Sequence, residues 1–399
     1  MTELKRCKKC LLPETHETII FDEQGVCNVC RQNEFKKGKI DWTQKKRELD
    51  ELIEQYRGKY EYDCIVPFSG GKDSTWALYY LMKEYKIKPL VVRFDHGFLR
   101  PNLNDNTVLT LRNLGADFHS FTPNWKVVQK LMLQSFLEKG DFCWHCHTGI
   151  FSYPMWVAIR YNVPLIFWGE PSAEYASYYS YDQPEDVDEK RFNRVTNLGI
   201  SALDMAVRLG GEMDERDFRP YTYPPLKELR RIQYRSVCLG SYIPWDVRTQ
   251  SKIIQDELGW KGDLVENVPP GYNYEKIECY LQGVRDYIKY IKRGYTRPTH
   301  LGSIDIRHDR LTREEGMDML SKYEGKKPAS LGIFLEMVGL SEDEFFKIAQ
   351  SHAVSPWKMN VFEQELGEQL PDHNQWSNAG PMERSDAEKQ LDRWKKTTS

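Results

Sequence analysis

Three groups of residues in this chain are spaced for chemistry: the run Ser69-Gly70-Gly71-Lys72-Asp73-Ser74, three Cys-x-x-Cys pairs, and acids that follow short apolar runs. The first group sits between an apolar segment, Cys64–Phe68, and residues Trp76, Ala77, Tyr80 and Leu81 at helical spacing. A strand, a glycine turn and a helix N-terminus together make an anion site, because the first-turn N–H groups have no intrahelical partner and the helix dipole is positive there. Adjacent glycines let the backbone reach positive φ and approach a phosphate closely. Lys72 adds a mobile cation, and Asp73 can hold Mg2+ or cap the helix. The spacing is not that of a Walker loop, which needs four residues between its first glycine and Gly-Lys-Ser/Thr.

Cys7-Lys-Lys-Cys10 and Cys27-Asn-Val-Cys30 are sixteen residues apart, a spacing suited to a four-thiolate Zn2+ site. Some forty residues cannot bury a core of their own, and zinc ligation supplies about 10–16 kcal/mol of folding free energy. The third pair, Cys143-Trp-His-Cys146, leaves four readings open: half a zinc site, an iron–sulfur anchorage, a redox disulfide, or packing. Cys64, Cys238, His145 and His147 are the further ligands available to it by residue type.

The elements that position these residues alternate. Strands are expected at 62–68, Pro89–Phe94, Asp117–Phe121 and Val163–Trp168, with helices at about 73–84, Asn104–Gly115 and Lys126–Leu137 between them. That alternation predicts an α/β fold built on a doubly wound parallel sheet, in which ligands sit beyond the carboxyl ends of the strands. Asp95 and His96 after the second strand, and Gly169, Glu170 and Glu174 after the fourth, fall at such ends. Asp95 has an alternative reading as a turn residue before Gly97, and Glu170 one as a helix-capping acid. Tyr175, Tyr178, Tyr179 and Tyr181 could stack on a ligand or simply pack. We divide the chain into a zinc knuckle (1–40), the α/β domain (41–198), a mostly helical substrate or partner region (199–360) and a polar tail (361–399). Tyr274–Tyr290 and Leu331–Ala349 read as long amphipathic helices.

A hydrophobic content of 40% and a charged content of 29% are globular values, and no apolar run reaches membrane-spanning length. A cytoplasmic location without a membrane partner is expected. The net charge of -3 weighs against a nucleic-acid partner.

The order Ser69-Gly-Gly-Lys-Asp-Ser74 resembles the PP-loop of the ATP pyrophosphatase superfamily (HUP-like fold), whose members cleave ATP between the α- and β-phosphates and adenylate a substrate oxygen. That resemblance implies an ATP site formed by Phe68, Ser69, Gly70, Gly71, Lys72, Asp73, Ser74, Asp95, His96 and Gly169, with Lys72, Asp73 and Glu170 catalytic. Some sulfur-inserting members hold a [4Fe-4S] cluster on a central Cys-x-x-Cys and one distant cysteine, which would here be Cys143, Cys146 and Cys238. A closer likeness runs over about residues 3–350. The N-terminal cysteine pairs, YDCIVPFSGGKDS, FCWHCH, FWGEPSAEY, LGSYIPWD and THLGSIDIRHDRLTREEG together look like the N-acetyl sugar amidotransferases of bacterial surface-glycan (lipopolysaccharide, O-antigen) synthesis. This implies conversion of a sugar N-acetyl group to an acetamidino group with ATP, Mg2+ and ammonia. The sugar would be nucleotide-linked, and a glutaminase–synthase pair would supply the ammonia. Ser303, Asp305, Arg307, Arg313 and Glu174 then become candidates to hold the sugar or its carrier. A tRNA-thiolating PP-loop enzyme and a non-catalytic zinc-ribbon nucleotide-binding scaffold are the alternatives.

Overall fold

A computed structural model describes residues 3–174, 181, 185–360, 364–367 and 380–398. Five parallel strands form one sheet: β1 (Cys64–Pro67), β2 (Pro89–Phe94), β3 (Asp117–Phe121), β4 (Leu165–Trp168) and β5 (Arg235–Cys238), in the order β3-β2-β1-β4-β5. β1 pairs with β2 from Cys64↔Pro89 to Pro67↔Val92, and β4 with β5 from Leu165↔Arg235 to Trp168↔Cys238.

The period-2 alternation of side chains explains why both faces are covered. Cys64 and Val66 of β1 pack with Trp76, Ala77, Leu78 and Leu81 of the helix α3 (Lys72–Glu84). Ile65, between them, points the other way and packs with Met155 and Ala158 of a long helix, Trp144–Tyr161. Chain direction from β1 reverses between β2 on one side and β4 on the other, so the switch point lies at the carboxyl ends of β1 and β4. The expected doubly wound α/β class is the one observed.

Several elements differ from the sequence-based expectation. β5 falls in a stretch read as helical; four residues, Arg235–Cys238, are too few to register as a period. Tyr274–Tyr290 is not one helix. Its helix begins only at Gln282, because Cys279 bridges Leu99, the Tyr280 N–H donates to the Phe98 carbonyl at 2.9 Å, and Lys276 takes a positive φ of 52°. Leu331–Ala349 is interrupted at Gly339 (φ 66°), after which Ser341 and Glu344 form a capping box for a second helix. Within the polar tail, Arg384–Thr398 is a helix whose Ala387 and Leu391 are buried against Trp125–Lys139. Tyr175, Tyr178 and Tyr179 lie outside the described residues. Among the described residues no helix is long and apolar enough to cross a membrane.

Candidate active site

The Ser69–Ser74 loop is braced by its own hydroxyls. Ser74 Oγ accepts from the Ser69 and Gly70 N–H groups at 3.2 Å each, and Ser69 Oγ accepts from Gly71 N–H at 3.2 Å. Gly70 has a φ of 86°, and the Trp260 indole N–H donates to its carbonyl at 3.0 Å. A side chain on Gly169, at the end of β4, would place its Cβ 2.8 Å from the Asp73 carbonyl oxygen. This glycine lets β4 approach the start of α3 at the switch point.

A cavity of about 320 Å³ opens there, walled by Phe68, Ser69, Asp73, Ser74, His96 and Glu170. Lys72 is buried just behind it. Its ammonium lies 2.8 Å from Asp73 Oδ2 and 2.8 Å from Glu275 Oε2. Burial works against that charge, but Asp73 and Glu275, then Glu170 and Glu278, outweigh it and hold the lysine pKa well above its usual value. Burial and Asp73 push the Glu170 carboxyl up, with Lys72 and Lys276 opposing. Asp73 Oδ1 and Glu170 Oε1 are buried without a hydrogen-bond partner. Two such oxygens suit Mg2+, which is commonly held by one or two carboxylates plus substrate phosphates.

His96 also lines the cavity; its Nδ1 accepts from Phe98 N–H at 3.2 Å, and burial lowers its pKa. Asp95 instead caps its own turn, accepting from Gly97 N–H at 2.8 Å.

The far wall is cysteine-rich. Cys143 and Cys146, at the start of Trp144–Tyr161, share it with Cys238 and with Cys279. Burial raises all four thiols, Cys238 and Cys279 to about 11. Cys279 and Cys146 both act electrostatically on Cys143, whereas Cys238 lies 3.7 Å from an Arg191 Nη1 donor at the end of β5. The three facing thiols, Cys143, Cys146 and Cys279, come from two distant segments. Among the described residues they do not converge within 4.8 Å as the N-terminal set does. Sequence spacing could not reveal Cys279, a lone cysteine 133 residues beyond Cys146.

At the N-terminus the Sγ atoms of Cys7, Cys10, Cys27 and Cys30 all lie within 4.8 Å of one another and are buried. Backbone N–H groups of Cys10 and Cys27 donate to Cys7 Sγ at 3.4 and 3.2 Å. Four buried thiols in this arrangement fit a tetrahedral zinc ion.

The residues proposed for the sugar are engaged elsewhere. Ser303 Oγ accepts from Leu11 N–H at 3.2 Å, and Arg313 Nε donates to the Cys7 carbonyl at 3.4 Å. Arg307 Nη2 donates to the Glu174 carbonyl at 3.1 Å, and the Glu174 carboxylate pairs with Lys36 and the Tyr181 hydroxyl. Asp305 pairs with Arg248 and accepts from the Tyr272 hydroxyl at 2.6 Å. All but Asp305 thereby dock the cysteine knuckle or its helix (Asn28–Lys39) onto the rest of the chain; among the described lining residues of the cavity, none of the five appears.

The sheet order and the loop geometry define a PP-loop-like α/β domain with an N-terminal four-cysteine cluster and helices closing over the strand ends. Residues 272–370 match the family model described as LPS biosynthesis protein WbpG-like, C-terminal domain. The matched segment is 99 of the chain's 399 residues, so the likeness is of this region to a domain of an LPS biosynthesis protein. An uncharacterized protein of Methanocaldococcus jannaschii is 28% identical over 116 residues, which span 28% of this chain and 40% of that relative's length. Among solved structures, the U34-tRNA thiolase NcsA from Methanococcus maripaludis with its [4Fe-4S] cluster is 15% identical, at a TM-score of 0.24, covering 69% of this chain and 86% of that one.

Proposed function

We propose that the protein is an ATP-dependent, AMP-forming amidotransferase that converts a sugar acetamido group to an acetamidino group. The observation that carries this reading is the seating of the WbpG-like region on the loop. The first residues of the matched segment deliver Glu275 to Lys72, Glu278 to the space that a Cβ on Gly71 would fill, and Cys279 to the cavity wall. The part of the chain that matches a sugar-modifying family therefore closes the part that is shaped for a nucleotide.

An amide carbonyl is a poor electrophile, and its oxygen a poor leaving group. Attack of that oxygen on the α-phosphorus of ATP breaks the α–β bridge, releases pyrophosphate and leaves an O-adenylyl imidate after loss of the amide proton. Ammonia then adds at carbon, AMP departs with the former carbonyl oxygen, and the amidine remains. The first-turn N–H groups of α3 and Lys72 stabilise charge growing on the departing pyrophosphate, while the loop hydroxyls brace the turn that presents them, and losing one such donor typically costs about 3–4 kcal/mol. Lys72 must exchange Glu275 for a phosphate to do this. Mg2+ held by Asp73 and Glu170 would add Lewis-acid neutralisation of the phosphates. A [4Fe-4S] cluster on Cys143, Cys146 and Cys279 would supply an open iron for the nitrogen donor, or for sulfide on a thiolating alternative. The thiol wall is the observation that keeps that alternative in view.

In this scheme residues 41–198 adenylate, 199–360 hold the substrate, and 1–40 are a zinc-stabilised brace. The ammonia comes from a separate glutaminase–synthase pair, in the cytoplasm. The test is pyrophosphate release by the anaerobically purified protein with ATP, ammonium and UDP-linked acetamido sugars, with the product mass read alongside. Turnover with tRNA and none with any sugar would reverse the assignment.

A further inference from the structure

On the acetamido-sugar reading above, we infer that a second cavity beside the first binds the diphosphate of the substrate's carrier. This cavity, of about 440 Å³, lies between the helix Gln282–Arg293, the turn at His16-Glu17 and the start of Trp144–Tyr161. Its lining holds seven lysines and arginines against three carboxylates, Glu17, Asp141 and Asp286. Each carboxylate already faces a cation, and Glu17 also accepts from the Tyr295 hydroxyl at 2.5 Å and Asp141 from Cys143 N–H at 2.8 Å. Glu17 is shared by Lys289 at 3.6 Å and Arg293 at 3.3 Å, Asp141 faces Arg285 at 3.8 Å, and Asp286 faces Arg297 at 3.4 Å. All four distances exceed that of a close charge-assisted hydrogen bond. Arg293 Nη1 also donates to the Thr15 carbonyl at 2.5 Å and Lys289 Nζ lies 3.1 Å from His300 Nε2, so it is the surplus of positive charge, with the Arg285 guanidinium loosely placed at 3.8 Å from Asp141, that suits a further anion. The surplus of cations has its own mark on the neighbourhood: burial and then Lys289 hold His300 well below the usual histidine range.

The two cavities adjoin. Lys276, Arg285 and Phe151 line both. A ligand with two linked phosphates beside Lys289 and Arg293 would therefore extend its sugar past Arg285 toward Asp73 and Glu170. Guanidinium forks match phosphate oxygens bidentately, which suits a diphosphate better than a lone carboxylate. A cavity of this size accommodates a diphosphate and a sugar but not a nucleic-acid helix, and the chain's net charge of -3 provides no wider basic field for one.

The experiment is calorimetric titration of the intact protein with UDP and UMP, the first cavity being saturated with α,β-methylene-ATP. UDP should bind at least tenfold more tightly than UMP. Lys289→Gln should weaken UDP at least tenfold, with zinc content and circular dichroism unchanged. Glu17→Gln, which removes an internal counter-charge, should tighten it. Opposite signs in the two variants exclude simple damage to the fold. Farnesyl diphosphate binding as well as UDP would support the diphosphate site and assign it to a lipid-linked rather than a nucleotide-linked sugar. Absent UDP binding, UDP binding indifferent to both substitutions, or displacement of UDP by a short RNA of similar affinity would overturn the site. Failure of any acetamido sugar to release pyrophosphate, with UDP binding intact, would instead sink the amidotransferase reading and leave the diphosphate site standing.

Discussion

Replacing Glu275 by glutamine should destabilise the protein while tightening its grip on nucleotide. Glu275 is 2% exposed, with Oε2 at 2.8 Å from the Lys72 ammonium and Oε1 at 3.5 Å from Arg297. Burial opposes its charge, yet Lys72, Lys276 and Arg297 together bring its carboxyl from 4.5 to about 2. A tenfold change in proton affinity is worth about 1.4 kcal/mol, so the folded protein favours the ionised form by about 3 kcal/mol. That agrees with the roughly 3–5 kcal/mol lost on removing one partner of a buried pair. A depressed folded value means the contribution is complete above the ordinary carboxylate range and is lost as pH falls through about 2. Wild type and Glu275→Gln should thus differ by a constant amount at neutral pH and converge in acid. Urea unfolding followed by tryptophan fluorescence measures the difference. The same substitution removes the carboxylate that competes with phosphate for Lys72, so α,β-methylene-ATP should bind more tightly. Equal stability at neutral pH, or weakened nucleotide binding, would refute the view of Glu275 as a displaceable counter-ion.

Three further outcomes are expected. Cys7→Ser should lose the single zinc found by elemental analysis and unfold more readily; unchanged zinc content would remove the N-terminal site. In anaerobically purified protein, Cys279→Ser should abolish iron and brown colour together with Cys143→Ser, while Cys238→Ser retains both; iron-free wild-type protein would leave the thiol wall without a cluster. Gly169→Ala pushes a methyl to 2.8 Å from the Asp73 carbonyl oxygen, so it should cost about 1–3 kcal/mol and weaken nucleotide binding; a wild-type melting temperature would show that β4 and α3 are not in close contact.

What could be read from sequence was what is local in sequence. The strand, the glycine turn and α3 are consecutive, so the order of Ser69–Ser74 carries its own context. The four N-terminal thiols are two tight pairs, and they converge in space as their spacing requires. A parallel doubly wound sheet was implied by the β/α alternation, but not its strand order, and the short β5 was not visible in it. Invisible too were the groups that a distant segment brings to the loop. Glu275, Glu278 and Cys279 lie about two hundred residues beyond Lys72, in a stretch whose apolar spacing mimics a helix. There it runs through turns, with Lys276 at a positive φ, and is pinned by Phe98 and Leu99 at Cys279 and Tyr280. The burial of Lys72 in an ion pair also changes the meaning of its removal. Lys72→Ala would strand Asp73 and Glu275, so lost activity must be separated from lost stability.

The same logic explains why the residues that the family likeness offers for the sugar stand apart from the cavity at the loop. THLGSIDIRHDRLTREEG is a motif of both packing and charge, and here the packing half dominates. Gly302 and Gly316 leave room for Leu11, whose Cδ1 would lie 2.7 and 2.9 Å from a Cβ at either position, and Ser303 receives the Leu11 N–H. The knuckle is thereby held against the helix Arg297–Arg307, whose first residue, Arg297, reaches Glu275 and Asp286. A continuous chain of contacts runs from the four-cysteine cluster through that helix to the counter-ion of Lys72. Zinc loss should consequently be felt at the nucleotide loop, as weaker retention of Glu275 on Lys72, and not only as a local unravelling of the first forty residues.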